Sequence, residues 1–252
     1  MLVVIAALFF IGIISISYHQ VGFSSFVFIG FLFLFMTNKE KRFITSLLFS
    51  FLISFVIFIV SNHFIDTLTI SKEFKIIVNR LLLIVILIGI SFHLLLYKKK
   101  VSWYHARPDW KNPIILPFHK INIFWFWIIG IVVNGMVYLY FIVQKDVDYI
   151  ASLFWFCLFF SLINAVFEEV IWRGVMLSAI NENTSRWFAI LITSVGFGLL
   201  HLAIGFSIPL SLLISVAGVI YAIITLKTNS IYPSIIFHFI INIGMVYSGF
   251  II

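Results

Sequence analysis

Two adjacent carboxylates, Glu168 and Glu169, lie deep inside an apolar stretch of the sequence, and Arg173 follows one helical turn later. Charged side chains at membrane depth cost roughly 2.5 to 3.5 kcal/mol each on insertion scales, so they are functional candidates. In a helix, the i,i+4 spacing lets Arg173 hold Glu169 as an ion pair. Glu168 points about 100° away around the helix, on the face of Asn164, and is left without that partner. We therefore expect Glu169 and Arg173 to support the structure and Glu168 to do chemistry.

Two histidines and a second asparagine lie on later apolar segments. His201 ends the sequence FGLLH, and His238 and Asn242 are one helical turn apart in HFIIN. A carboxylate with an imidazole can hold a water molecule and remove its proton. An imidazole with a carboxamide can donate hydrogen bonds to an oxyanion, and each such donor is commonly worth about 10²–10³ in rate. Glu168 with His201, and His238 with Asn242, would together let water attack an amide at membrane depth.

The composition places these residues in a membrane protein. Of 252 residues, 63% are hydrophobic and 10% are charged, whereas a soluble domain would carry about 25% charged residues. We predict an all-α polytopic membrane protein of about eight to nine transmembrane helices, with the active-site core in its C-terminal half. The apolar segments are 2–18, 22–37, 43–61, 76–97, 121–143, 149–180, 187–206, 208–226 and 231–251.

The basic residues between these segments predict an orientation. If nine helices alternate, eleven basic residues fall at one end and four at the other, the four being Lys72, Lys75, Arg80 and Lys145. The positive-inside rule then places the N-terminus and the more basic end in the cytoplasm. The net charge of +7 is thus a topology signal, and we expect no nucleic-acid partner.

The depth of the polar residues predicts where their cavity opens. Measured along the helix axis, Glu168 lies roughly 18 Å from the cytoplasmic end of its segment and His238 roughly 10 Å from that of its own. We therefore expect a cavity that opens towards the cytoplasm, with substrate entering from there or through the bilayer.

Three short motifs resemble those of a known family. EEVIWR fits EExxxR, FGLLH fits FxxxH and HFIIN fits HxxxN, in this order and on successive apolar segments. Over about residues 149–250 the chain therefore resembles the CPBP family of intramembrane glutamic endopeptidases, also called Abi or CAAX prenyl endopeptidase-like. The resemblance implies a membrane-embedded protease that works without a metal or another cofactor. It assigns water activation to Glu168 and His201, the oxyanion hole to His238 and Asn242, and a supporting role to Glu169 and Arg173.

The same resemblance suggests substrates and boundaries. Relatives include eukaryotic enzymes that trim the last three residues of prenylated CAAX proteins, and bacterial members are similar to factors for peptide maturation or bacteriocin self-immunity. A Phe- and Ile-rich chain of this size is more similar to the bacterial members, so we expect a multi-pass protein of a bacterial cell membrane with a peptide or protein substrate. Residues 1–120 would be variable N-terminal transmembrane helices and an interfacial loop, and 121–252 the protease core.

Three alternatives remain open. Two histidines and a carboxylate could bind Zn²⁺, although their spacing is not HExxH. A non-catalytic scaffold or immunity protein could use the same polar cluster to bind a peptide or a partner protein in the bilayer. A proton-coupled transporter could use the acids and histidines as a relay, but their concentration in one half of the chain, without a visible repeat, counts against it.

Overall fold

The computed structural model describes residues 1–115 and 119–251. There the chain is a bundle of helices, because a backbone in lipid must satisfy its own hydrogen bonds. A ribbon of two antiparallel three-residue strands, β1 (Pro113–Ile115) and β2 (Lys120–Asn122), precedes α6. The helices are α1 (Leu2–Ser17), α2 (Val21–Thr37), α3 (Arg42–Asp66), α4 (Lys72–Leu81), α5 (Leu83–Leu96), α6 (Ile123–Ile142), α7 (Val147–Ser152), α8 (Phe154–Glu169), α9 (Ser178–Asn183), α10 (Arg186–Leu200), α11 (Ile208–Thr228) and α12 (Tyr232–Tyr247).

Among the described residues, six helical stretches are long and apolar enough to cross a membrane. They are Lys39–Asp66, Lys72–Leu96, Ile123–Ile142, Phe154–Asn183, Arg186–Ile204 and Ile208–Thr228. Three further apolar helices, α1, α2 and α12, are shorter, with 16, 17 and 16 residues. These stretches correspond to the apolar segments of the sequence, and the prediction of an all-α polytopic membrane protein is confirmed.

The connections between the helices gather at two ends of the bundle. At the first, Lys99 Nζ donates a hydrogen bond to Asn183 Oδ1 at 3.3 Å and lies 5.4 Å from the ring centroid of Phe43, so the segments around α3, α5 and α9 meet there. We call this the basic end. At the opposite end, Lys75 Nζ donates to the carbonyl oxygen of Asp66 at 2.7 Å, across the connection between α3 and α4. We call this the cavity end, for the reason given below.

The segment between α5 and α6 lies across the basic end. The carbonyl oxygen of Tyr104 accepts a hydrogen bond from the backbone N–H of Ile231 at 2.7 Å, and the N–H of Asp109 donates to the carbonyl oxygen of Thr228 at 2.8 Å. Tyr104 is buried, whereas its neighbour Trp103 is exposed. This predicted interfacial loop is therefore hydrogen-bonded to the connection between α11 and α12 and holds the start of α12 in place.

Helices α10 and α11 pack closely because small residues line their contact. A Cβ atom on Gly198 would meet the carbonyl oxygen of Ser211 and the backbone nitrogen of Ser215. One on Gly218 would lie 3.0 Å from the Cα atom of Ser194. Small residues that let two helices approach are the usual packing device in membranes. The face of α11 that carries Ser211, Ser215 and Gly218 is therefore a packing surface.

Candidate active site

The two carboxylates of the EExxxR motif lie at the end of the α-helical part of α8, and both are fully buried. The helix continues without a break as a π-helical segment, Val170–Leu177, and then as α9. Such wide turns are rare and frequently occur at functional sites. They place Arg173 and the glutamates inside the bundle, on surfaces that face α4, α10, α11 and α12.

Glu169 lies in a closed pocket with Arg173. Oε1 of Glu169 accepts a hydrogen bond from Nη1 of Arg173 at 3.0 Å, and Nη2 of Arg173 donates to the carbonyl oxygen of Gly218 at 3.1 Å. The guanidinium also lies 4.4 Å from the ring centroid of Phe197 and 5.0 Å from that of Tyr221, within cation–π range. The predicted i,i+4 ion pair is present, and aromatic faces cover it.

His238 lies between the two carboxylates. Its Nδ1 is 3.0 Å from Oε1 of Glu169, and its Nε2 is 3.6 Å from Oε2 of Glu168. Because an ionised carboxylate only accepts hydrogen bonds, Nδ1 is the donor to Glu169. The imidazole stacks on Tyr221 at a centroid distance of 5.1 Å and meets Phe197 edge to face at 5.7 Å. These contacts fix the orientation of the ring. The sequence grouped His238 with Asn242 and gave no sign of its contacts with both acids.

Glu168 has a partner that the sequence analysis missed. Nη1 of Arg80, in α4, lies 3.3 Å from Oε1 of Glu168 and 3.2 Å from Oδ1 of Asn164. Asn164 and Glu168 therefore share a face, as predicted, but the prediction that Glu168 is unpaired is wrong. Within residues 1–115 and 119–251, Oε2 of Glu168 makes no hydrogen bond.

Arg80 is buried inside the bundle and not exposed at its end, so its assignment to the loop cations is wrong. Its Nη2 donates to Oδ1 of Asn79, and Nδ2 of Asn79 donates to Oδ1 of Asn62 in α3. A polar chain therefore connects α3, α4 and α8. The available signal was its position inside the predicted segment 76–97, where a charge is as costly as it is at Glu168.

His201 approaches the site from the turn that follows α10. Its Nδ1 lies 3.0 Å from the carbonyl oxygen of Phe197, which only accepts, so Nδ1 carries the proton and the lone pair belongs to Nε2. The imidazole packs edge to face on Phe197 at 5.2 Å and stacks on Phe206 at 5.7 Å. Phe197, the first residue of the FxxxH motif, thus contacts both histidines and Arg173.

Two cavities adjoin the site. The smaller has a volume of about 10 Å³ and is lined by Phe58, Arg80, Leu83, Glu168, Leu200, His201 and Ile204. That is about the space that one water molecule needs. The larger has a volume of about 370 Å³, and Arg80 and His201 line it as well. Because Asp66, Lys72 and Phe250 also line it, the larger cavity opens at the cavity end of the bundle.

Asn242 lies one turn after His238 and is buried. Its Nδ2 is 3.4 Å from the carbonyl oxygen of Ser161 in α8, and its side chain lines the larger cavity together with that of Asn164. The structure therefore brings His201 and His238 to Glu168 from two sides, one across the small cavity and one in direct contact, and places Asn242 beside the larger cavity.

The cavity end is the end with fewer basic residues. Without Arg80, it keeps three of the four cations assigned to it, Lys72, Lys75 and Lys145, against eleven at the basic end. The expected cytoplasmic N-terminus and the expected cytoplasmic opening are therefore incompatible in this fold. Helix length from the basic end does not determine the opening, because the cavity lies in the space left between α4 and α12 and opens at the other end.

No group of three or more His, Cys, Asp or Glu side chains in the described ranges is arranged to hold a metal ion.

Tyr221 is a residue of the site that the sequence did not indicate. This tyrosine of α11 is fully buried against His238 and Arg173.

Fold and site define a multi-pass membrane protein with an acid–histidine cluster buried inside its helices. Residues 150–244 match the family described as Type II CAAX prenyl endopeptidase Rce1-like. The resemblance inferred from the three motifs is confirmed over this segment, which contains Glu168, His201, His238 and Asn242. The description of the matched family is that of a peptidase.

A curated relative has a similar description. Over 82 residues the chain is 32% identical to the Bacillus subtilis (strain 168) protein named "Putative membrane peptidase YdiL". The alignment covers 32% of each chain, so this chain matches about a third of the length of that relative. No solved structure gives a significant match.

Proposed function

We propose that the protein is an intramembrane glutamic endopeptidase that cleaves a peptide or a membrane-associated protein without a metal. The observation that carries the proposal is the meeting of Glu168 and His201, from two different helices, at a buried cavity of about 10 Å³. A carboxylate and a neutral imidazole at such a place can both accept hydrogen bonds from one water molecule, and they can orient it for attack.

In the proposed reaction, Glu168 takes a proton as the water oxygen bonds to the carbonyl carbon of the substrate. The carbonyl oxygen becomes an oxyanion, and N–H donors from His238 and Asn242 stabilise it. His238 supplies such a donor when its Nε2 carries a proton, and this nitrogen lies 3.6 Å from Oε2 of Glu168. The tetrahedral intermediate then breaks the C–N bond, and the proton on Glu168 passes to the departing amine.

The surroundings of the cluster support a peptide as substrate. The larger cavity adjoins the cluster and has amide side chains in its wall, among them Asn62, Asn79, Asn164 and Asn242. Carboxamides both donate and accept hydrogen bonds, so they match a peptide backbone. A substrate would reach the cluster through this cavity or laterally from the bilayer. We place the protein in a bacterial cell membrane, with residues 121–252 as its protease core.

The test is cleavage of a quenched fluorescent peptide library by the purified protein in nanodiscs. Glu168→Gln removes the proton acceptor with little change in shape, so we expect a loss of about 10²–10⁴ in rate. Glu40→Gln, at an exposed position of the basic end, is the matched control and should cleave like the parent. Equal cleavage by the Glu168→Gln variant would show that this residue is not the base.

Two further measurements separate the alternatives. Loss of activity to a chelator, with stoichiometric zinc in the purified protein, would favour a metal enzyme. Full complementation of a deletion strain by the Glu168→Gln variant would favour a scaffold or immunity protein that binds its partner through the same cluster.

A further inference from the structure

Arg80 lies outside the three motifs and outside the matched segment 150–244, yet it contacts the candidate base directly. Its side chain is 8% exposed, and that of Glu168 is 1% exposed. Taking two charges out of water is expensive, and well-packed apolar residues are often at least as stabilising. A buried pair of this kind therefore calls for a reason other than stability.

We infer that Arg80 is a positioning residue for Glu168: it brings a positive charge into contact with this carboxyl group and holds one oxygen so that the other stays available for water. The inference rests on the proposed role of Glu168 as the base. It adds a residue from the N-terminal helices to a site whose other members all belong to the C-terminal part of the chain.

The hydrogen bonds of the guanidinium fix its position from two sides. Nη1 bonds to Oε1 of Glu168 and to Oδ1 of Asn164, whereas Nη2 bonds to Asn79, which is itself held by Asn62. A planar guanidinium can serve these partners at once, and an ammonium group cannot reproduce that fork. Because Oε1 is engaged by Arg80, Oε2 is the oxygen left beside Nε2 of His238.

Of the charged groups around Glu168, Arg80 is the one that touches it and always keeps its charge. Glu168 faces Arg80 from α4, His238 from α12 and His201 from the turn after α10, and it adjoins Glu169 on its own helix. Both imidazoles can lose their charge, and Glu169 is compensated by Arg173. Arg80 is thus the permanently charged group in contact with Glu168. An opposite charge at this distance favours the ionised form of an acid.

Chemical labelling tests the inference without any substrate. Dicyclohexylcarbodiimide adds to a protonated carboxyl group in apolar surroundings and leaves a stable N-acylurea that peptide mass spectrometry locates. At pH 7 we expect Glu168 to react slowly in the parent and at least about tenfold faster in the Arg80→Gln variant. Arg107→Gln, at an exposed loop position, is the matched control. Equal labelling of Glu168 in the parent and in Arg80→Gln would overturn the inference.

The pH dependence of cleavage is the second readout. Removing the cation removes its attraction for the carboxylate, so the acid limb of kcat/KM should move to higher pH in Arg80→Gln. Arg80→Lys keeps the charge and should keep the limb near that of the parent, with a lower kcat because the fork is lost. A merely structural residue would change the amount of folded protein and leave the limb in place.

The outcomes distinguish the two proposals. If Glu168→Gln is inactive but Arg80→Gln keeps the parental kcat and pH limb, the endopeptidase stands and the role of Arg80 is refuted. If Glu168→Gln cleaves like the parent, the proposed function fails and the labelling experiment alone decides what Arg80 does. If Arg80→Gln does not fold, Arg80→Lys carries the test through kcat: a lower kcat per folded molecule supports the inference, and the parental kcat overturns it.

Discussion

Glu168 and Glu169 are neighbours in sequence, and both are fully buried, but they lie in different surroundings. Glu169 contacts Arg173 and His238 in a pocket closed by aromatic rings. Glu168 contacts Arg80 and lines a small cavity, and Arg80 also lines the large cavity that opens at one end of the bundle. One acid is sealed by protein, and the other adjoins space that water can enter.

The difference shows how one motif can carry two tasks. A sealed ion pair must be kept intact, because a single buried charge without its partner is costly. An acid beside a cavity can exchange protons with a water molecule and with a substrate. The adjacent positions on one helix therefore place one carboxylate in a sealed pocket and the other beside a cavity, since consecutive side chains point about 100° apart.

Breaking the sealed pair should give the largest loss of stability. Glu169→Gln leaves the charge of Arg173 buried without a carboxylate, so we expect the free energy of unfolding to fall by about 3–5 kcal/mol. Glu168→Gln should cost less, because Arg80 keeps its contacts with Asn164 and Asn79 and lines the open cavity. Unfolding in mixed detergent micelles measures both. An equal or larger loss in Glu168→Gln would contradict the division into sealed and open surroundings.

Removing the aromatic ring that covers the ion pair of Glu169 and Arg173 should give a smaller loss of stability. Phe197→Leu deletes the ring that contacts Arg173 and both histidines, and we expect a cost of about 2 kcal/mol from the lost cation–π interaction in addition to the change in packing. Phe31→Leu is the matched control, because Phe31 is equally buried but lies in α2. The same unfolding assay compares the two. A Phe197→Leu variant no less stable than the Phe31→Leu variant would show that the ring covers the pair without stabilising it.

Labelling of single cysteines should sharpen the comparison with little effect on stability. In a background without Cys157, Asn62→Cys in the large cavity should react with a water-soluble maleimide, whereas Ser194→Cys, buried between α10 and α11, should not. The exposed Lys72 and the half-buried Lys227 mark the two ends, and substitutions at such positions typically change stability by about 0.5 kcal/mol or less. In intact cells, an impermeant maleimide that reaches Lys72→Cys but not Lys227→Cys would place the basic end in the cytoplasm, and the reverse result would place the cavity end there.

Much of the fold and part of the site follow from local patterns. Long apolar segments predict the helices, and the i,i+4 spacing predicts the pair of Glu169 and Arg173. The spacing of FGLLH and HFIIN indicates which residues share a helix face with each histidine, but it does not say what those faces meet. The contact of His238 with both carboxylates depends on how α12 packs on α8, and no local pattern encodes it.

The contact of Arg80 with Glu168 is the clearest example of a contact that the sequence does not predict, because 88 positions separate the two residues. The sequence shows a cation near the start of an apolar segment, which is typical of both a flanking loop residue and a buried partner. Choosing between them requires knowing that α4 begins at Lys72 and packs beside α8, so that Arg80 is already inside the bundle. The division into residues 1–120 and 121–252 stays a prediction. The site nevertheless draws on both parts.

The π-helical segment Val170–Leu177 gives this long helix one place where its length can change. A π-helical turn closes one residue later than an α-helical turn, so losing a residue there restores ordinary turns and leaves both flanks in register. A deletion elsewhere in the helix would rotate one flank by about 100° against the other. A one-residue change of length in this segment, beyond Arg173, therefore leaves the two carboxylates and their ion pair in place.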